Sequence, residues 1–289
     1  MTSLSTEKST IVRTQLPPVP PLVRTAVGAL DRVAPGLVAR GALRLWCTPN
    51  RAKNRPTIPG GIAFRTGPVV GQIWGAGPTV YLVHGWGGHR GQLRALVEPL
   101  VDAGLRVVAY DAPAHGDSGP GALGGRRTTL PEMMTALDDV IAAHGPARAV
   151  VGHSMGAAAS ALAVLDGTPT ERLVLVTPLA DPTTYIEGFA HTLGFSTPTR
   201  RRFEIRMEAL AGRRLTELDI TRRAANAQRP LPPVLVLSDR DDKEADHADG
   251  VRIACAWPGA ELVTSDGLGH RRILRDGETI KRIVAHVAG

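Results

Sequence analysis

The sequence predicts an α/β domain, a mostly parallel β-sheet with helices on both faces. Continuous apolar runs of the kind buried on both sides recur at residues 80–83, 106–110, 147–151, 173–176, 234–237 and 260–263. Helical patterns lie between most of them. In the clearest, Leu130, Met133, Met134, Leu137, Val140 and Ile141 form one apolar face with the 3.6-residue period. Strands that alternate with helices favour parallel order, because a crossover helix returns the chain to the same end of the sheet. At 289 residues and 43% hydrophobic content, the chain has enough apolar material to cover such a sheet twice.

Residues 1–60 read as an N-terminal arm followed by a helical segment packed on or near the core, and residues 61–289 as the α/β domain. The arm ends in Pro17-Pro18-Val19-Pro20, a poor start for packed structure. Between Leu22 and Leu45 the residues Val23, Val27, Leu30, Val33, Leu37 and Val38 recur at helical spacing, interrupted at Pro35-Gly36. They read as one or two helices; a basic amphipathic helix on a membrane surface is the alternative. After a turn-rich stretch, residues 62–66 and 69–74 read as a hairpin-like strand pair. One connection breaks the rhythm. More than fifty residues separate the strand ending near Thr177 from that beginning at Val234, too many for a simple crossover. Segments 183–191, 199–211 and 215–227 within it carry helical patterns. An insertion at about 180–230 lies where a small helical cap would cover the sheet's active end.

Composition excludes several classes. No run of eighteen apolar residues provides a membrane span, so no stable membrane insertion is expected. The opening sixteen residues are polar and mixed in charge, without the apolar stretch of a secretory signal. Cys47 and Cys255 are too far apart to suggest a disulfide framework or metal ligation, and two lone thiols suit a reducing, cytoplasmic compartment. The net charge of +7 comes almost wholly from scattered arginines; the only lysines are Lys8, Lys53, Lys243 and Lys281. Without a basic stripe interleaved with aromatics, nucleic acid is not an expected partner.

The chemistry centres on Gly152-His153-Ser154-Met155-Gly156. This G-x-S-x-G follows the apolar run 147–151 and precedes Ala157-Ala158-Ala159-Ser160-Ala161, a helix start with almost no side-chain bulk. A sharp strand-to-helix turn there exposes the serine hydroxyl, and small flanking residues let strand and helix approach closely. A serine nucleophile needs a base. His270, in Gly267-Leu268-Gly269-His270 after the last apolar run, stands where a loop returns to the same end of the sheet. The base needs an orienting acid, and Ser238-Asp239-Arg240-Asp241-Asp242 after the run 234–237 offers three. Asp242 is favoured, Asp241 is the alternative, Asp239 comes third, and Asp181 is a more distant candidate. The order serine, acid, histidine separates this pattern from the chymotrypsin and subtilisin orders. The run 80–83 leads directly into His84-Gly85-Trp86-Gly87-Gly88, a loop able to aim the Trp86 N–H at the point that the Met155 N–H also faces, as donors for an oxyanion.

Together these residues resemble the α/β-hydrolase superfamily, over a stretch from about Ile62 to the C-terminus. The His84-Gly85-Trp86 loop, the turn from Asp111 to Ser118, the Gly152–Gly156 elbow, Asp242 and Gly269-His270 occur in the family's order. The resemblance implies a mostly parallel, eight-stranded sheet with a small cap, and acyl transfer without metal or other cofactor. Within it the turn carrying His115 is structural. Two departures stand out: Ser238-Asp239 replaces the His-Gly that often precedes the acid, and Ala114 stands where relatives have a second glycine.

The expected activity is that of a carboxylesterase- or thioesterase-like serine hydrolase acting on a small-molecule ester or thioester. Cleavage of a lactone or a carbon–carbon bond runs on the same apparatus, and a hydrolase-fold ligand receptor with little turnover is the alternative from another class. A serine at the elbow argues against dehalogenase and epoxide hydrolase chemistry, which in this family use an aspartate there. The insertion holds nine arginines against six acids. They read as a solvated helical face with local ion pairs; attraction of an anionic substrate is the alternative.

Overall fold

A computed structural model describes residues 19–50, 55–181 and 183–289. Eight strands form one sheet: β1 (Ile62–Thr66), β2 (Val69–Trp74), β3 (Thr79–Val83), β4 (Arg106–Asp111), β5 (Ala147–His153), β6 (Thr170–Val176), β7 (Val234–Asp239) and β8 (Glu261–Ser265). Their spatial order is β1-β2-β4-β3-β5-β6-β7-β8. The first two strands pair antiparallel with each other, and β2 pairs antiparallel with β4. All later pairings are parallel. This is the predicted α/β class. The last strand runs slightly later than the apolar run suggested, because its register with β7 continues to Asp239 and Ser265.

The eleven helices among the described residues are α1 (Pro21–Val33), α2 (Pro35–Trp46), α3 (Val97–Asp102), α4 (Leu130–His144), α5 (Met155–Asp166), α6 (Thr184–Leu193), α7 (Thr197–Ala211), α8 (Ile220–Ala225), α9 (His247–Ala256), α10 (Gly269–Arg272) and α11 (Gly277–Ala288). Alternate residues of each central strand point to opposite layers. Tyr81, Val108, Val150, Leu173 and Val236 pack with α4, α5 and α9. Their neighbours Val80, Leu82, Val107, Ala149, Val174 and Leu235 pack with α3 and α11 on the other side. Burial on both faces explains why these strands read as unbroken apolar runs.

Local signals set the helix ends. Thr129 accepts the Glu132 N–H at 3.2 Å and its hydroxyl donates back to the Glu132 carboxylate, a reciprocal cap that starts α4. The long connection between β6 and β7 contains α6, α7 and α8. A third apolar cluster joins this region to the N-terminal segment. Val38, Ala39 and Ala42 of α2 meet Ile186, Phe189 and Phe203 of α6 and α7. The Trp46 ring stands edge-on to Phe189 and Phe203, with centroids 4.9 and 5.8 Å away.

The tightest packing is where β5 turns into α5. A Cβ on Gly152 would stand 2.6 Å from the Ala157 Cα, and one on Gly156 would stand 2.3 Å from the His84 carbonyl oxygen. Ala157, Ala158, Ala159 and Ala161 are wholly buried, so α5 lies closer to the sheet than bulkier side chains would permit. We expect Gly156→Ala to lower the unfolding free energy by about 1–3 kcal/mol, since only backbone atoms could yield. Gly41→Ala on α2, where an added Cβ meets nothing within 4 Å, should be neutral or stabilise by up to about 1 kcal/mol. Urea unfolding of the two variants checks both.

Candidate active site

Ser154 occupies the turn between β5 and α5, with φ 56° and ψ −122°. A non-glycine residue in the left-handed range costs about 1–2 kcal/mol, which the surrounding packing must offset. Its N–H donates to the Val176 carbonyl at 2.9 Å, and its own carbonyl accepts the Ala158 N–H, so the strained turn is fixed from both sides. As the residue capping α5, Ser154 stands beside helix amides that lack an intrahelical acceptor, that of Met155 first among them. The loop after β3 passes directly alongside: a Cβ on Gly85 would lie 3.0 Å from that of Ser154. Trp86, Ser154 and Met155 all border one cavity.

His84 fixes that loop. Its Nδ1–H donates to the Gly85 carbonyl at 2.8 Å and its Nε2 accepts the Ala112 N–H at 3.0 Å, which assigns a neutral ring. Complete burial holds its pKa below the ordinary histidine value. Asp111, also buried, accepts the Arg90 N–H at 2.7 Å, the Asp117 N–H at 2.8 Å and the Arg90 guanidinium. The turn from Asp111 to Ser118 thereby braces the His84–Trp86 loop from behind. His115 packs within this brace, 5.0 Å from the His84 ring and 5.4 Å from the Trp86 ring. Ala114 has φ 62°, which gives a physical reason for a glycine at this position in relatives.

The acids after β7 separate by where their oxygens point. Asp242 Oδ2 lies 2.7 Å from His270 Nδ1, while its Oδ1 accepts the N–H groups of Glu244 and Ala245 at 2.8 and 3.0 Å. Asp241 instead accepts the Gly267 N–H at 2.9 Å. Asp239 accepts the Asp241 and Leu268 N–H groups and the Ser265 hydroxyl, tying the β7 and β8 loops together. Burial would raise its pKa, but the hydrogen bonds from Ser265, Gly269, Leu268 and Asp241 outweigh that and hold the carboxyl below its usual range. Asp181 accepts the Thr183 N–H at 2.8 Å at the entry to α6. Of the four, Asp242 is the acid that meets the imidazole.

With Nδ1–H donating to Asp242, His270 Nε2 carries a free lone pair. No hydrogen bond joins it to Ser154 among the described residues; the Glu244 carboxylate lies 3.9 Å away. Apo sites often hold such pairs loosely and tighten them on binding. A second histidine sets the backbone of this loop. His153 Nε2 donates to the His270 carbonyl at 2.9 Å, and the two rings are 4.7 Å apart. Burial and the nearby His270 hold the His153 pKa well below its ordinary value, so it remains neutral. In the sequence His153 is only the variable residue of a motif. Its adjacency to Ser154 was the available signal.

The cavity beside Ser154 measures about 500 Å³ and is mostly apolar. Leu179, Tyr185, Phe189, Leu215 and Leu218 line it from the connection between β6 and β7. Trp46 and Leu43 of α2 form another wall, a contribution the sequence did not indicate. Cys47 lies in this wall as well, and burial pushes its thiol up to about 12, so it stays neutral. Arginines of the β6–β7 connection are partly engaged: Arg213 and Arg223 both pair with Asp166, and Arg200 with Glu204. Among the described residues no cluster of three or more His, Cys, Asp or Glu is placed to hold a metal ion.

Comparison with known proteins follows the same lines. A family model described as serine aminopeptidase, S33, matches residues 76–249. The chain is 37% identical over 121 residues to the dihydrolipoyllysine-residue acetyltransferase component of the acetoin cleaving system of Cupriavidus necator. That match covers 40% of this chain and 31% of the relative, so the chain spans under a third of the curated protein. An esterase of Exiguobacterium antarcticum superposes with a TM-score of 0.59 at 16% identity, covering 80% of this chain and 100% of that one. A monoacylglycerol lipase of Paleococcus ferrophilus gives a TM-score of 0.58 at 23% identity, covering 76% and 98%. These two likenesses establish the fold.

The lowered pKa of Asp239 makes its contribution depend on pH. A carboxyl depressed in the folded state stabilises fully above the unfolded value of about 4 and loses that effect as pH falls through the folded value. Asp239→Asn should therefore cost about 1.5–3 kcal/mol at neutral pH. The gap from wild type should narrow when unfolding is measured below about pH 4. An equal gap at both pH values would contradict the assignment.

Proposed function

The chain belongs to the serine aminopeptidase S33 family of α/β-hydrolases, and from that premise we propose that it is a serine hydrolase of carboxylic esters or thioesters. One observation carries the reading: His270, held at 2.7 Å by a buried Asp242, shares the end of the sheet with Ser154 on its strained turn beside an apolar cavity. Ser154 Oγ attacks the substrate carbonyl while His270 Nε2 takes its proton. Asp242 fixes the tautomer and stabilises the imidazolium. The N–H groups of Trp86 and Met155 receive the developing oxyanion, each contributing about 3 kcal/mol to the transition state. His270 then protonates the leaving alcohol or thiol, and water repeats the cycle on the acyl-enzyme.

The cavity supports an apolar acyl group. Its walls offer many carbon contacts and few hydrogen-bonding groups, so each methylene that enters is worth about 0.8 kcal/mol, roughly fourfold in kcat/KM. The helices between β6 and β7, with α2, act as the cap over that chain. The esterase and the lipase among the structural neighbours are named for ester chemistry and the family model for an aminopeptidase, and it is the apolar cavity that favours the ester reading.

A fluorophosphonate probe should label the wild-type protein and leave Ser154→Ala unlabelled. Absence of labelling together with no turnover of p-nitrophenyl esters would favour a ligand receptor. Across a p-nitrophenyl ester series, kcat/KM should climb from acetate about fourfold per methylene until the cavity is filled. A decline from acetate onward would contradict the apolar acyl site. Replacing His153 with Leu removes the donor to the His270 carbonyl and should lower kcat by about 10–100-fold with little change in KM.

A further inference from the structure

The side of α1 that faces solvent is apolar. Leu22, Ala26, Leu30 and Val33 fall on one face, at successive spacings of four, four and three residues. Leu22 is 83% exposed and Val33 80%. The side toward the protein carries Asp31, which is buried and accepts the Ser196 N–H at 2.8 Å and the Thr199 hydroxyl at the start of α7. A helix on the surface of a soluble domain normally shows the reverse arrangement. On α2, Val38, Ala39 and Ala42 pack inward while Leu37, at 58%, and Leu45 stay exposed.

Charge frames this face. Arg32, Arg40 and Arg44 are exposed, whereas Arg24 lies on the opposite side of α1 against Gly194, and neither helix has an exposed acid. None of these three arginines is in an ion pair among the described residues. Leu45 is both exposed and part of the lining of the cavity beside Ser154, so α2 reaches from the surface to that cavity.

We propose that the α1–α2 face docks on the surface of an anionic phospholipid bilayer. Leu22, Leu30, Val33 and Leu37 enter the boundary between headgroups and acyl chains, and the arginines meet lipid phosphates. A second copy of this chain fits less well, because a two-fold contact through the same face would bring the arginines of one copy against those of the other. No described helix is long and apolar enough to cross a membrane, and docking of this kind lies in the interface plane. That the docked face supplies acyl chains to the cavity rests on the hydrolase reading above; the docking itself does not.

The test is co-sedimentation of the full chain with vesicles of phosphatidylcholine alone or with about one third phosphatidylglycerol. The protein should bind the anionic vesicles about tenfold more tightly, and raised salt should weaken that binding. Leu22→Glu/Val33→Glu/Leu37→Glu should lose binding by about tenfold or more, and Arg32→Gln/Arg40→Gln/Arg44→Gln should lose the preference for anionic vesicles. Circular dichroism identical to wild type shows that each variant is folded. Ser154→Ala should bind vesicles as wild type does, which separates failure of docking from failure of the hydrolase reading. Equal binding by the glutamate variant, or no binding by wild type, overturns the proposal. So does a solution dimer that this variant dissociates while wild type ignores vesicles.

Discussion

The clearance between β5, α5 and the loop after β3 governs the geometry of the site. Gly152 and Gly156 leave no room for a side chain against Ala157 and the His84 carbonyl, and the alanines of α5 keep the helix close to the sheet. Under that constraint the chain can reverse from strand to helix only by placing Ser154 at positive φ. The cost is about 1–2 kcal/mol. It is offset by buried strands on either side and by hydrogen bonds at both ends of the turn. The same closeness sets the first amides of α5 near the His84–Trp86 loop, the arrangement that the proposed oxyanion contacts require.

The facing side is organised by three acids close in sequence with separate tasks. Asp239 ties the β7 loop to the β8 loop, Asp241 holds Gly267, and Asp242 meets His270. His153 then joins the two halves, since it precedes Ser154 in the chain and grips the His270 carbonyl. The orientation of the imidazole therefore depends on the elbow as well as on its acid partner. His84 plays the matching part on the other flank, a buried neutral ring that ties its loop to Ala112.

Much of this was legible in the sequence because it rests on local pattern. Strands buried on both faces read as apolar runs, and the elbow reads as small residues around one serine. The acids did not resolve in the sequence for a physical reason: Asp239, Asp241 and Asp242 are chemically equivalent, and only the path of the loop decides which one points at His270. The walls of the cavity were hidden for a related reason. Helical spacing in residues 22–45 indicates helices without saying what they pack against, and α2 meets Phe189 and Phe203 some 140–160 residues later. The exposed apolar face of α1 was hidden too, because periodicity gives a face and leaves its direction open.

The central claim is that Ser154 accepts the acyl group. Mixing the protein with p-nitrophenyl octanoate, quenching in acid within the first turnovers and mapping the peptides by mass spectrometry tests it most directly. The account predicts an octanoyl adduct on the peptide bearing Ser154, located on that serine, which disappears as substrate is exhausted. An adduct on another residue, or turnover with no adduct and no loss of rate in Ser154→Ala, would contradict it.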